Sequence, residues 1–409
     1  MKTVNRRFVI SFPPVKIIGI IFFLYTLGNF CVPMLKWNEK FVQIPLYLFF
    51  LVSLLYIKRD NHIIKRYLIW YTPFLMMCML SSLYAPVMKD ATGLFMSLIM
   101  AFLFGLSMAV FLSFDGSLLY IQYSYILIAI FVGIRLIMTF QQRSWWSRLG
   151  ENFEMNENLV ALYFLIALCF AINQLGNKKS IIINSASAIV SAYVILLTGS
   201  KKALFAAVIF SFLFFVIRAG RITKKMRVIL ITAISVIVMY NIIMSVELLY
   251  NILGYRIQAM VNTFILRDFA SSSNSTGERG DMILFGLRTF IRSPLWGRGL
   301  NSFQNLYGIE TGHYAYAHNN YVELLADLGL IGFLLYYSIF GKMIQYIRRL
   351  GSKVNSCSFL ISLTALLFFY DVAMVSYYDT RIIMLIMITF SGLSNSLIQC
   401  NKEESISNE

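Results

Sequence analysis

The chain has 409 residues, of which 59% are hydrophobic, 16% aromatic and only 13% charged. Soluble domains run near 45–50% apolar and about 25% charged, which excludes a soluble globule, and low hydrophobicity marks disorder, which excludes a disordered chain. The net charge of +16, from 35 Lys and Arg against 19 Asp and Glu, would point to nucleic acid in a soluble protein; in a membrane protein it can follow from the retention of Lys and Arg on the cytoplasmic side.

A spanning helix needs roughly 20 mostly apolar residues. Such runs fall, in chain order, at 15–35, 41–57, 67–88, 93–114, 117–140, 157–173, 180–198, 202–218, 227–246, 320–340, 355–377 and 381–398. The second, sixth and eighth lie near the lower length limit. No small-residue cleavage site follows the first run, so no cleaved signal peptide is expected. With the N-terminus inside, twelve spans return the C-terminus inside. Twenty of the 35 Lys and Arg then fall on inner segments and eight on short outer ones, the bias that sets orientation. The expected organisation is a transmembrane region over 1–246 with nine spans, a large extracytoplasmic loop over 247–319, three further spans over 320–399, and a cytoplasmic tail over 400–409.

Cys31, Cys78, Cys169, Cys357 and Cys400 are scattered, without CxxC or CxxH spacing. They predict buried small hydrophobes rather than a zinc site or a disulfide framework. The twenty Met are lipid-facing or core filler, and no internal repeat of the transporter kind is visible.

The loop 247–319 carries Arg256, Arg267, Arg279, Arg288, Arg292 and Arg298 but no Lys, whereas the rest of the chain has 16 Lys and 13 Arg. The guanidinium fork binds phosphate or carboxylate bidentately, so these residues point either to an anionic ligand or to lipid headgroups. Ser275-Thr276-Gly277-Glu278 has the form of a capping box and predicts a helix to about Ser293, before Pro294. Helical spacing groups Ile283, Gly286, Leu287 and Phe290 on an apolar face, with Arg279 on that side and Arg288 and Arg292 opposite. An inward Arg279 needs Asp281, Asp268 or a bound phosphate. Pro294-Leu-Trp-Gly297-Arg298-Gly299-Leu-Asn301-Ser-Phe303 predicts a tight turn with close backbone approach. Two of the three histidines close the loop in His313-Tyr-Ala-Tyr-Ala-His318-Asn319-Asn320-Tyr321-Val-Glu323. Their spacing does not favour a metal, and no third ligand is evident. His318, at a water–lipid boundary ahead of Glu323 and Asp327, suits proton abstraction or a capping role.

Outside the loop, Thr198-Gly-Ser200-Lys201-Lys202 puts two lysines on the side where lysine is disfavoured. The outer segment from Arg143 to Asn158, with Trp145, Trp146, Arg148 and Asn156, reads as an aromatic interface belt or a sugar-binding surface. Asp371, within a span, is a functional candidate or the partner of Arg381 or Arg135. Arg135 itself can snorkel.

Taken together, Glu278-Arg279, then Arg292-Ser-Pro294-Leu-Trp-Gly297-Arg-Gly299-Leu-Asn-Ser-Phe303, then His318-Asn319-Asn-Tyr321-Val-Glu323-Leu-Leu-Ala-Asp327-Leu-Gly329-Leu-Ile-Gly332 resemble the O-antigen ligase/polymerase family of bacterial polysaccharide assembly. Weaker matches are Arg148-Leu-Gly150 through Asn156-Glu-Asn158 and Thr198-Gly-Ser200-Lys201, where the family commonly has Ser-Arg. The specific part covers roughly 50 residues. The resemblance implies an all-α polytopic fold of about twelve spans with one large extracytoplasmic loop, GT-C-like, in the bacterial cytoplasmic membrane with its active site on the periplasmic face.

It also implies transfer of a glycan from undecaprenyl pyrophosphate to a sugar hydroxyl, with inversion and without a metal or other cofactor. His318 would be the base and Arg279 the stabiliser of the leaving group. Arg256, Lys201, Lys202, Arg298, Asn319, Tyr321, Glu323, Asp327, Arg148 and Asn158 would bind substrate, with Glu323 or Asp327 orienting His318. The implied partners are the undecaprenyl-pyrophosphate-linked oligosaccharide, membrane lipid and a chain-length regulator protein, and no nucleic acid. A Wzy-type repeat-unit polymerase is the favoured reading. A ligase acting on lipid A–core is its alternative, and a polysaccharide flippase is the alternative of another class.

Overall fold

The computed structural model describes residues 13–58, 60–141, 147–151, 156–264 and 274–407, and the described residues hold helices and no strand. Eight helices are long and apolar enough to cross a membrane: α1 (Pro14–Leu35), α3 (His62–Ser82), α4 (Met88–Phe111), α5 (Ser117–Thr139), α6 (Glu157–Gly176), α9 (Ile222–Ser245), α14 (Asn320–Arg349) and α16 (Thr380–Ser407). The other four predicted runs are also helices, α2 (Lys40–Leu55), α7 (Ile181–Leu197), α8 (Lys201–Arg218) and α15 (Ser358–Ala373). At 16, 17, 18 and 16 residues they are short for a full crossing, and α8 begins on two lysines and ends on an arginine. The chain is an all-helical polytopic membrane protein. α16 runs through most of the expected tail, because Lys402 and Glu403 can leave the apolar layer without leaving the helix; Glu403 pairs with Lys353.

α6 lies at the centre, its faces buried all round. α1 packs on α2 and α5, α3 on α4 and α14, and α15 on α8 and α16. Lipid is as apolar as leucine, so close packing and interhelical hydrogen bonds hold such bundles. Trp70 Nε1 donates to the Tyr336 carbonyl at 2.8 Å, and Arg66 donates to Ser394 Oγ at 2.9 Å, tying α3 to α14 and α16. Helix α9 stands apart and is almost wholly exposed.

The connections that carry the candidate site residues gather at one end of the bundle. There the chain leaves α9 through a single turn, α10 (Glu247–Leu249), and a π-helical stretch at Tyr250–Gly254. It continues through α11 (Tyr255–Phe264), α12 (Asn274–Arg292) and α13 (Ser302–Thr311). The predicted loop helix is present as α12, and Glu278 of the proposed capping box is exposed; the side chain of Ser275, like Arg267, Asp268, Arg143, Trp145 and Trp146, is not described. Its buried face is set one position off the expected one. Met282, Phe285, Gly286 and Thr289 are buried, while Leu287 is exposed. The reason is tertiary: Met282 and Phe285 join Phe303, Tyr307, Ala317, Val322 and Ala326 in an apolar cluster separate from the main core.

Candidate active site

The loop is anchored by a break in α14. Gly329 has φ 64° and ψ −166° inside that helix, which leaves neighbouring peptide groups free to bond elsewhere. The turn from Pro294 to Gly299 takes them up. Leu330 N–H donates to Pro294 O at 2.8 Å, Ile331 N–H to Leu295 O at 3.2 Å, Arg298 N–H to Ala326 O at 3.0 Å and Gly299 N–H to Asp327 O at 2.9 Å. Gly297, at φ 70°, lies flat against this ladder, and a Cβ at either Gly297 or Gly329 would run into backbone. The Pro-x-x-Gly-x-Gly motif and the downstream glycine are thus two halves of one joint.

Asp327 completes the joint. Its carboxylate accepts from Asn301 N–H at 3.0 Å, Ser302 Oγ at 2.9 Å and Phe303 N–H at 2.7 Å, holding the start of α13. Glu323 accepts from Ala317 N–H at 2.6 Å. Neither carboxylate bonds to His318, which corrects the expectation that one of them orients the imidazole. Glu323 acts on the backbone just before it instead. On the other side Asn319 caps α14, its side chain accepting from Val322 N–H at 3.1 Å. Between these fixed points His318 is held at φ 52°, in left-handed space. Its ring lies 4.1 Å from that of Tyr316. L-residues enter that region at a cost of about 1–2 kcal/mol, and the bonds at Ala317 and Val322 hold the geometry.

His318 faces a cavity of about 320 Å³ whose wall also carries Arg148, Asn158, Lys201, Lys202, Arg256 and Arg279. The first turns of three helices line it: Asn156 and Asn158 at α6, Ser200 to Lys202 at α8, and Asp379 and Arg381 at α16. Helix N-termini present free N–H groups and a partial positive charge. Local bonds fix these ends. Ser200 Oγ accepts from Ala203 N–H at 3.4 Å and donates to Asn158 Oδ1 at 2.7 Å. The π-helical stretch delivers Arg256, whose Nη1 donates to Gly199 O at 3.3 Å.

Six cationic side chains line the cavity against the single carboxylate of Asp379. Arg148 pairs with Glu157 at 2.7 Å, and Arg381 pairs with Asp379 at 2.5 Å. Lys201, Lys202, Arg256 and Arg279 form no ion pair among the described residues. Lys202 donates to Ala373 O at 3.3 Å and lies 4.8 Å from the centre of the Tyr370 ring. This crowding shows in the titration of its neighbours: burial first, then Arg148, lowers the Arg256 pKa. Burial, with Arg279 and Lys202 adding to it, pushes His318 from 6.5 down to about 4. At neutral pH the imidazole is therefore uncharged and can accept a proton. A dianionic group here would find four uncompensated cations and three helix N-termini, the arrangement that binds phosphate.

Of the residues expected at the site, His318, Arg279, Arg256, Lys201, Lys202, Arg148 and Asn158 meet at this cavity. Arg279 is not inward as expected but exposed, at the cavity's margin, because the buried face of α12 is rotated from the predicted one, and it pairs with neither Asp281 nor any other described acid. Arg298 is exposed and lends the joint its backbone only. Tyr321 donates to Phe368 O at 3.0 Å and stacks on Tyr337, away from the cavity. His313 is exposed. Asp371 bonds Tyr337 Oη at 2.8 Å and Ser376 Oγ, not Arg381 or Arg135. It fixes the turn after α15, whose far end reaches the cavity.

That turn supplies what the sequence did not single out. Tyr378, Asp379 and Arg381 line the cavity, with Tyr316 on the opposite stretch. The only sequence signal for them was an acid and an arginine two residues apart at the mouth of a span.

With this geometry in place, comparison with known families is informative. Residues 186–337 match the family model Wzy_C, described as O-antigen ligase. The matched stretch runs from α7 into α14 and contains Lys201, Lys202, Arg256, Arg279 and His318, whereas Arg148, Asn158, Asp379 and Arg381 lie outside it. No curated protein matches the chain.

Proposed function

We propose that this chain, which carries the domain of the O-antigen ligase/polymerase family of membrane glycosyltransferase-like enzymes, is a polysaccharide repeat-unit polymerase of the cytoplasmic membrane. It would move a growing glycan from undecaprenyl pyrophosphate to a hydroxyl of an incoming lipid-linked repeat unit, on the extracytoplasmic face. The observation that carries the reading is that His318 shares one cavity with Lys201, Lys202, Arg256 and Arg279, four cations that form no ion pair among the described residues. The acceptor oxygen attacks the anomeric carbon, and the bond from that carbon to the phosphate oxygen breaks with its electron pair leaving on the diphosphate. His318 takes the hydroxyl proton, and attack opposite the leaving group inverts the anomeric centre.

The charge that develops on the diphosphate falls where Arg279, Lys201, Lys202 and Arg256 stand. Fixed charges of this kind contribute on the order of 3 kcal/mol each where water is excluded, which applies to the part-buried Lys201, Lys202 and Arg256 rather than to the exposed Arg279. The same diphosphate offsets the cations that hold the His318 pKa down, so donor binding makes the base stronger just when it is needed. A flippase needs charge along a path through its spans, whereas here the cations that form no ion pair among the described residues gather at the cavity beside the long loop. His318→Ala tests the reading in a host whose own copy is replaced, with surface polysaccharide resolved on a gel. Loss of long chains with single repeats still on the core is the expected result. Loss of all attached glycan means a ligase, and unchanged chain length removes His318 from the chemistry.

A further inference from the structure

A second cavity, of about 490 Å³, adjoins the first: Tyr316 and Tyr378 line both. Its remaining wall comes from α4, from the start of α13 at Asn301 and Gln304, and from Glu323. Its charge differs sharply from that of its neighbour. A single lysine, Lys89, stands against two acids, Asp90 and Glu323, so nothing here selects a diphosphate.

The contribution of α4 is unusual for a membrane-length helix. Lys89, Asp90, Gly93, Leu94 and Ser97 face this cavity, at the three- and four-residue steps of one helix side, and three of the five are polar. Glu323 is 2% exposed, and its only hydrogen bond from a described residue goes to Oε2. Amide, carboxylate and hydroxyl groups beside two tyrosine rings bind the edge hydroxyls and the apolar face of a sugar ring.

We infer that this second cavity holds the terminal sugar of the acceptor saccharide and presents its hydroxyl past Tyr316 and Tyr378 to His318. The inference rests on the glycosyl-transfer reading above. It follows from that chemistry that donor diphosphate and acceptor oxygen stand on opposite sides of the anomeric carbon, so an inverting enzyme needs two adjoining sites rather than one. His318, its ring tilted against that of Tyr316 at 4.1 Å, stands at the boundary between a cationic site and one in which acids outnumber cations.

Ser97→Trp fills the cavity from α4, and Gln304→Ala removes an amide from the α13 side. Both are tested in full-length protein, by surface-polysaccharide chain length in cells and by binding of undecaprenyl pyrophosphate to the purified protein in detergent. The expected result is at least a tenfold loss of long chains for Ser97→Trp and a shift to shorter chains for Gln304→Ala. The dissociation constant for undecaprenyl pyrophosphate should stay within twofold of the parent in each, which also reports that the variant is folded. Parent-like chain lengths in both variants overturn the inference, as does loss of undecaprenyl pyrophosphate binding in both. His318→Ala separates the two levels. If it abolishes polymer while Ser97→Trp does not, only the acceptor site fails; if it leaves polymer intact, the glycosyl-transfer reading fails beneath it.

Discussion

Gly297 and Gly329 meet face to face, backbone against backbone, where the turn of the long loop fills the break in α14. Each holds a positive φ, and at neither is there room for a methyl group. Gly329→Ala would place a Cβ on the Leu295 carbonyl and force alanine into left-handed space. Together these effects should cost about 3 kcal/mol. The thermal midpoint of the detergent-purified protein is expected to fall by several degrees, with undecaprenyl pyrophosphate binding lost in parallel. A midpoint equal to that of the parent would show that the joint is not a structural keystone.

The proton acceptor in the proposed reaction is neutral His318, so activity depends on its being unprotonated. Its pKa is lowered from 6.5 to about 4 by burial, Arg279 and Lys202. Protonation therefore sets in only at acid pH, and kcat/KM should stay flat from about pH 7.5 to about pH 5, falling below that. Lys202→Met removes one of the depressing charges, so the acid limb should move to higher pH while undecaprenyl pyrophosphate binds more weakly. The kcat limb should lie above the kcat/KM limb in the parent, because bound diphosphate offsets the same cations. An acid limb near the ordinary imidazole value that ignores Lys202→Met would count against this assignment.

Arg381 is held by Asp379 through two bonds, at 2.8 and 2.5 Å, and lies 5.0 Å from the centre of the Tyr163 ring. Asp379→Ala strands a largely buried guanidinium, which typically costs about 3–5 kcal/mol. Removing both charges together, as Asp379→Ala with Arg381→Leu, should recover part of that loss. Thermal unfolding of the single and double variants in detergent tests the coupling. Equal destabilisation in both would mean that Asp379 acts on the α16 start rather than on Arg381.

The helical runs could be read from hydropathy alone, since apolar runs of spanning length have few other fates. Pro294 to Gly299 was legible as a turn because glycine spacing announces close backbone approach, and His318 because histidine is scarce in this chain. The roles of Glu323 and Asp327 were not legible. An acid near a catalytic histidine invites a catalytic reading, and only coordinates reveal that both accept backbone N–H groups. The buried face of α12 was misjudged for a related reason. Periodicity shows that a helix has an apolar side, but Val322 and Phe303, its partners across the joint, decide which residues turn inward. Arg381 escaped because its contribution to the cavity depends on a contact made far along the chain, by a span that looks ordinary in isolation.

The apolar cluster of Met282, Phe285, Phe303, Tyr307, Ala317, Val322 and Ala326 joins the long loop to the first turns of α14 and is distinct from the core of the bundle. Together with the break at Gly329 it makes residues 274–331 a self-consistent cassette, whose natural border lies about three turns inside α14 rather than at Asn319, the residue before the helix. A chimera that exchanges this loop with that of a relative should therefore be cut after Ile331. A seam at Asn319 would divide the cassette's own core between two parents.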